Sequence, residues 1–242
     1  MVTIVQNINN KHTNMILGER NIVIYGKGYV IDDSLGFEFR ISPSAFFQIN
    51  SAQTGKLYDL ALNMASPKST DHVLDAYCGT GTIRMFLSRR AGHVTGIELN
   101  PDAVRDAVEN AERNKIENID FICADATEYL QGLSEEISDR KNNPGKQHCE
   151  NENAIIAKIP DILVMDPPRS GSTPEFINAA AKLNIPRIVY VSCDPETLVR
   201  DIKLFAGHNY RLERVVPVDM FPQTGHIETV VTIKKVNPNN EN

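Results

Sequence analysis

Three observations predict the fold class. Strand-like and helix-like segments alternate from Pro67 to Gly207, the first of those strands runs into a Gly turn, and the last two strands follow each other without a helix between them. Alternation of this kind implies a doubly wound, Rossmann-like α/β sheet that is mostly parallel, and the final pair implies an antiparallel C-terminal edge. Short strands with Gly-containing turns come before it, predicting a small partial β subdomain over residues 1–45. The expected organisation is then a linking helix over 46–66, the main domain over 67–236 and a frayed tail over 237–242.

In chain order, Met15–Leu17, Ile22–Tyr25, Tyr29–Asp32 and Phe37–Ile41 read as the short strands. Phe46 to Ala65 reads as a helix, with Leu57, Leu60, Ala61 and Met64 at helical spacing. HVLDA is the first strand of the main domain, and TIRMFLSRRA is helical. HVTGIELN is the second strand. PDAVRDAVENAERNK opens on Pro101 and ends in basic residues, as a helix favours. IDFICADA, DILVMDPP and PRIVYVSCDP are the third to fifth strands, and ETLVRDIKLFAG is a helix closing on Gly207. YRLERVVPVDMF and HIETVVTIKK are the final two strands. Residues 131–158 interrupt the pattern with SDRKNNPGKQHCENEN, which predicts an exposed, protease-sensitive loop.

Composition narrows the class. With 242 residues and 41% hydrophobic content the chain is long enough for a real core and too apolar for disorder. No apolar run is long enough to span a membrane, and the N-terminus lacks a basic segment followed by an apolar one, so a cytoplasmic protein is expected. Cys78, Cys123, Cys149 and Cys193 show no CxxC pairing, which argues against a metal or iron–sulfur site. The net charge of −6 lies in the middle of the chain: residues 1–70 carry +1, 71–160 carry −6 and 161–242 carry −1. A negative middle suits a cationic cofactor and leaves the flanks free to meet a polyanion.

Four motifs carry chemistry. DAYCGTGTI, Asp75 to Ile83, is a strand, a Gly turn and a helix start, in which Gly79 and Gly81 would let a ligand approach the backbone. Glu98, ending the next strand, can accept hydrogen bonds from both ribose hydroxyls, and Asp125, after the third, can meet an adenine edge. A lone Gly turn or strand-end charge is common, but an ordered set at successive strand ends describes a nucleoside site. DPPRSG, Asp166 to Gly171, ends the fourth strand, and its prolines stiffen the chain so that Asp166 can face a planar ring, although Pro-Pro also marks a plain turn. VSCDP ends the fifth strand on the same sheet edge and makes Cys193 a candidate nucleophile, with Asp194 an unhelpful negative neighbour. In DMFPQTGHIET, His226 and Glu228 would face one side if the strand has begun; alone, Glu228 reads as an edge-strand carboxylate.

Together FFQIN (46–50), DAYCGTG (75–81), DPPRSG (166–171), IVYVSCDPETL (188–198) and DMFPQTGHIE (219–228) resemble the S-adenosylmethionine-dependent RNA uracil-C5 methyltransferases. VQNINNKHTNMILGE adds a resemblance to the bacterial 23S rRNA branch. The resemblance implies a class I methyltransferase sheet and a cofactor site formed by Gln48, Tyr77, Gly79, Gly81, Thr82, Glu98, Asp125 and Asp166. It implies that Phe47, Asp166, Arg169 and His226 meet the substrate, that Cys193 is the nucleophile and that Glu228 is the base. It implies S-adenosylmethionine as cofactor with no metal, and a monomer acting on RNA, ribosomal RNA before transfer RNA. The family's N-terminal RNA-binding barrel and four-cysteine cluster have no counterpart in these residues, so an N-terminally shortened chain is expected. Two readings compete. An adenine amino-methyltransferase would want an aromatic residue after Pro-Pro, where Arg169 stands, and has no use for Cys193. A shortened remnant would bind cofactor or RNA without turnover.

Overall fold

The computed structural model describes residues 1–10, 17–18, 20–142 and 158–236. Two antiparallel strand pairs come first: β1 (Thr3–Ile8) with β2 (Arg20–Gly26), and β3 (Val30–Ser34) with β4 (Phe37–Ile41). β1 adds to the expected strands, whereas the expected strand at Met15–Leu17 (all but Leu17) and the tail at 237–242 lie outside the described residues. Helix α1 (Ser51–Ala65) is shorter than expected. The Asn50 side chain accepts from Gln53 N and starts the helix there, while its own amide donates to Met220 O at 2.8 Å. Residues 46–50 are therefore non-helical.

The main domain then alternates as expected: β5 (His72–Ala76), α2 (Thr82–Ser88), β6 (His93–Glu98), α3 (Pro101–Arg113), β7 (Ile119–Cys123), α4 (Ala126–Asn142), β8 (Ile162–Met165), α5 (Pro174–Lys182), β9 (Arg187–Ser192), α6 (Pro195–Gly207), β10 (Tyr210–Val218) and β11 (Glu228–Lys235). Two helices differ from the sequence reading. α4 runs through residues 131–142, the first part of the expected loop, and residues 143–157 lie outside the described residues. α5 is additional, and Thr173 caps it ahead of Pro174.

The strands form one sheet in the order β10-β11-β9-β8-β5-β6-β7. β5 to β9 are parallel, and β11 is antiparallel to both β9 and β10. Successive strand residues point to opposite faces. Val73, Val164, Val189 and Val230 join a core with α1 and α2, whereas Leu74, Leu163, Ile188 and Val231 join one with α4, α5 and α6. The order turns back between β5 and β8, and the crevice at such a turning point is where α/β sheets bind ligands.

The β3–β4 pair belongs to this packing. Phe37 and Phe39 are buried in the same core as α1 and α2. Along α3, Asp106, Asn110 and Asn114 bind alternate residues of β4 and the residue just beyond it: Ser42 N donates to Asp106 at 2.9 Å, Arg40 N to Asn110 at 2.6 Å and Glu38 N to Asn114 at 2.9 Å. Four helical residues rise about 6 Å and two strand residues about 6.6 Å, so one helix face can stand in for a neighbouring strand.

Candidate active site

The turn after β5 is tightly wound. Tyr77, Gly79 and Gly81 all have positive φ (63°, 52° and 85°), and Gly81 N donates to Cys78 O at 3.0 Å. Glu98, at the end of β6, ties this turn down: its carboxylate accepts from Gly79 N at 2.9 Å and from Asn100 N at 2.8 Å. The two glycines do different jobs. A Cβ on Gly79 would meet nothing within 4 Å, so its face is open to a ligand; one on Gly81 would lie 3.3 Å from Ala107 and Phe121. Gly81 is thus a packing glycine, which corrects the expectation that both admit a ligand.

A cavity of about 640 Å³ opens at this end of the sheet. It gathers Gln48, Tyr77, Gly79, Thr82, Glu98 and Asp166 of the expected cofactor residues, and Phe47, Arg169, Cys193 and Glu228 of the others. Gly81, Asp125 and His226 do not line it. Asp125 instead caps α4, its Oδ1 accepting from Thr127 N at 2.8 Å and Glu128 N at 3.1 Å. His226 is exposed, and because β11 begins only at Glu228, the two do not share a strand face.

Cys193 and Glu228 come together through the ladder between β9 and β11. Its last pair is Ser192 with Thr229, so the next residue on each strand, Cys193 and Glu228, meets the other at the cavity wall. Burial raises the Cys193 thiol pKa first, and the charges of Glu228 and Asp166 raise it further, against the pull of Arg169. The opposing charges are these two, not the adjacent Asp194, whose carboxylate caps α6 by accepting from Glu196 N and Thr197 N. Glu228 is itself raised by burial and lowered by Arg169. Asp166 is pushed up to about 8 by burial, with Glu228 and Asp75 adding to the effect.

The helix that follows Cys193 also fixes the loop that carries Arg169. Arg200 donates to Ser170 O and Ser172 O, both at 2.9 Å, and Thr197 Oγ1 donates to Arg169 O at 3.2 Å. Buried Asp201 accepts from Ser172 N at 2.7 Å and from Tyr190 OH at 2.8 Å. Cys193 and Arg169 are thereby held by one element.

Sequence reasoning passed over Asp75, Tyr58, Phe46 and Phe221, which also line the cavity. Asp75 had a signal, since it is a carboxylate in a strand whose residues are all buried. It meets fully buried Arg84 at 3.4 Å, and burial still pushes it up to about 6. Its Oδ1 has no hydrogen-bond partner. Gly96 makes room for the Arg84 guanidinium, which a Cβ there would overlap. Among the described residues no cluster of His, Cys, Asp or Glu could hold a metal ion, and no helix is long and apolar enough to cross a membrane.

A family model for tRNA (uracil-5-)-methyltransferase matches residues 10–236. An uncharacterized RNA methyltransferase of Clostridium acetobutylicum is 44% identical over 234 residues, covering 96% of this chain and 46% of the relative. One from Staphylococcus aureus is 42% identical over 231 residues, covering 95% and 46%. The chain thus spans about half the length of the curated relatives it matches. Among solved structures, the Pyrococcus abyssi tRNA (uracil-54, C5)-methyltransferase in complex with S-adenosyl-L-homocysteine matches with a TM-score of 0.70 and 27% identity, over 96% of this chain and 50% of that one. A precorrin-6y C5,15-methyltransferase of Geobacter metallireducens, at 15% identity and a TM-score of 0.59 over 82% of this chain and 94% of that one, shares the fold.

Proposed function

The chain belongs to the family of S-adenosylmethionine-dependent RNA uracil-5-methyltransferases, and on that premise we propose that it methylates C5 of a uridine in RNA, with Cys193 as nucleophile and Glu228 as base. The observation that carries this reading is the meeting of Cys193 and Glu228 at one cavity wall, from two strands that are distant in sequence.

The cavity's own chemistry fits the cofactor. Four carboxylates and one arginine line it, which suits a molecule carrying a sulfonium and an ammonium. Glu98 would hold the ribose, the open face of Gly79 would lie against the nucleoside, and the unpartnered Asp75 Oδ1 offers an acceptor to the ammonium. When bound, S-adenosylmethionine supplies the electrophilic methyl group.

Uracil C5 is a poor nucleophile until something adds to C6. Burial first, then Glu228 and Asp166, favour the thiol form of Cys193, and a positive charge entering beside them would favour loss of its proton to water as the sulfur attacks. Addition of the Cys193 sulfur to C6 moves electron density to C5 and the C4 oxygen. After C5 is methylated, Glu228 takes the C5 proton, and expulsion of the Cys193 sulfur restores the C5–C6 double bond. A buried carboxylate with a raised pKa is suited to accept that proton. The uridine must be unpaired or flipped out to enter.

The proposed substrate is 23S ribosomal RNA, supported by the likeness of the N-terminal segment to that branch, and the proposed setting is a cytoplasmic monomer. A transfer RNA uridine is the second reading, favoured by the Pyrococcus abyssi relative. Methylation of purified rRNA and tRNA lacking the modification, with mass mapping of the product, decides between them. Product in neither, with cofactor still bound, would leave a binding remnant, and methylated adenine would sink the uracil reading.

A further inference from the structure

A second concavity, of about 440 Å³, lies between β2, the chain after β4 and the first turn of α3. Arg20, Lys27, Arg40 and Arg105 line it, against Asp102 as the lone acid. These cations differ in freedom. Arg40 is 12% exposed and pairs with Asp106 at 3.0 Å and Glu109 at 2.6 Å, while Arg105 pairs with Asp102 at 2.8 Å. Arg20, opening β2, and Lys27, at the turn between Gly26 and Gly28, are exposed and have no ion-pair or side-chain hydrogen-bond partner among the described residues. Ser44 also lines the groove. Its Oγ accepts from Asn21 at 2.7 Å, which leaves its own O–H to donate.

The groove adjoins the cavity. Residues 42–44 line one and residues 46–48 the other. Two residues of chain span at most about 7 Å. A strand whose base enters the cavity can therefore reach the groove with a neighbouring phosphate. Guanidinium and ammonium groups beside a hydroxyl donor are the donor set that phosphate oxygens take up.

We propose that this groove binds the RNA backbone beside the target uridine, with Arg20 and Lys27 as the free phosphate contacts beside the ion-paired Arg40 and Arg105. The inference rests on the reading that the substrate is a uridine in RNA. It also accounts for how an acidic chain meets a polyanion: the cations that matter come from residues 20, 27, 40 and 105, outside any charge run.

The test uses the full chain, a short uridine-containing single-stranded RNA and the double variant Arg20→Ala/Lys27→Ala. Each phosphate contact to a single strand contributes about 0.7 to the slope of log affinity against log salt. Loss of two should lower that slope by about 1.4 and weaken binding about tenfold at low salt. S-adenosylmethionine affinity, measured by calorimetry, should not change. The exchange Arg20→Lys/Lys27→Arg keeps both charges and should keep the slope, which separates charge from folding. An alanine variant with the wild-type slope overturns the groove, as does a wild type that binds no RNA. Poly-glutamate displacing the RNA at equal charge would make it an acidic-peptide site instead. If the slope depends on Arg20 and Lys27 but no uridine is methylated, the groove stands and the methyltransferase reading fails. If uridine is methylated and the variant binds RNA like wild type, the reverse holds.

Discussion

The cavity at the strand ends and the groove beside β2 share a wall, residues 42–48, yet their linings are electrostatic opposites. The cavity presents Asp75, Glu98, Asp166 and Glu228 against Arg169, and the groove presents four cations against Asp102. The cavity attracts a cationic cofactor and repels phosphate, so a nucleotide can offer it only the neutral base. The groove does the opposite. With the proposed substrate, a target nucleotide straddling the wall would be sorted by its own chemistry, base to one side and backbone to the other.

The comparison can be broken most sharply in the cavity. Cys193→Ala should abolish methylation and leave no covalent complex, while binding RNA through the groove as before. Glu228→Gln should slow turnover by about 10²–10⁴-fold. It should also accumulate a denaturation-resistant protein–RNA band carrying labelled methyl. A Glu228→Gln enzyme working at the wild-type rate without that band would remove Glu228 as the base.

Next comes Glu98. Its carboxylate already accepts two backbone donors, so Glu98→Ala loosens the Gly79 turn as well as losing the ribose acceptor. S-adenosylmethionine affinity should fall by about 1.5–3 kcal/mol, with the salt slope of RNA binding unmoved. Calorimetry giving equal affinities would sink the ribose assignment.

The charge of the cavity predicts a pH effect. Asp75 and Asp166 are raised in the folded chain to about 6 and about 8 from 3.8. Between pH of about 4 and 8 these two carboxyls hold more protons in the folded than in the unfolded state, so their contribution to the stability of the ligand-free protein falls as pH rises, while His72, lowered to about 4 by burial, works the other way below its ordinary value of 6.5. Asp166→Asn removes its share, and its Tm advantage over wild type should grow from pH 4 to 8 and then level. Each kcal/mol is worth about 2–4 °C in a chain of this size. A bound cation favours ionised Asp166, so cofactor affinity should rise with pH in wild type and rise less in Asp166→Asn. An affinity that falls over this range would contradict the cavity's charge.

The smallest effects separate two glycines. Gly79→Ala and Gly81→Ala each force an L side chain to positive φ, costing about 1–2 kcal/mol. Only Gly79→Ala should also weaken the cofactor beyond that strain, because its Cβ enters open space at the cavity. Thermal unfolding and calorimetry on both variants distinguish the two.

The alternating strands were legible because each parallel strand is buried on both faces and reads as an apolar run. α4 beyond residue 131 was not: apart from Leu133 and Ser134 it buries little there, and its charged residues, such as the Arg140–Glu136 pair, look like loop composition. Cys193, Glu228 and Asp166 were legible as motifs, whereas the helix-capping role of Asp125 was not. A carboxylate after a strand can meet a ligand or cap the next helix, and the two look alike in sequence. Asp106, Asn110 and Asn114 gave no sign of their ladder to β4, since only the packing shows that a helix replaces a strand there.

β11 is the last of the described strands along the chain, yet it lies between β9 and β10. As the chain leaves the ribosome, β5 to β9 can assemble in order, each next to a strand already present. Cys193 is then in place at a sheet edge while its carboxylate partner has not been synthesised. β10 also waits, because its one neighbour among the described strands is still missing. Arrival of the eight-residue β11 docks β10 and delivers Glu228 in one event. With the roles proposed above, a nascent chain would acquire the group that attacks before the group that lets go.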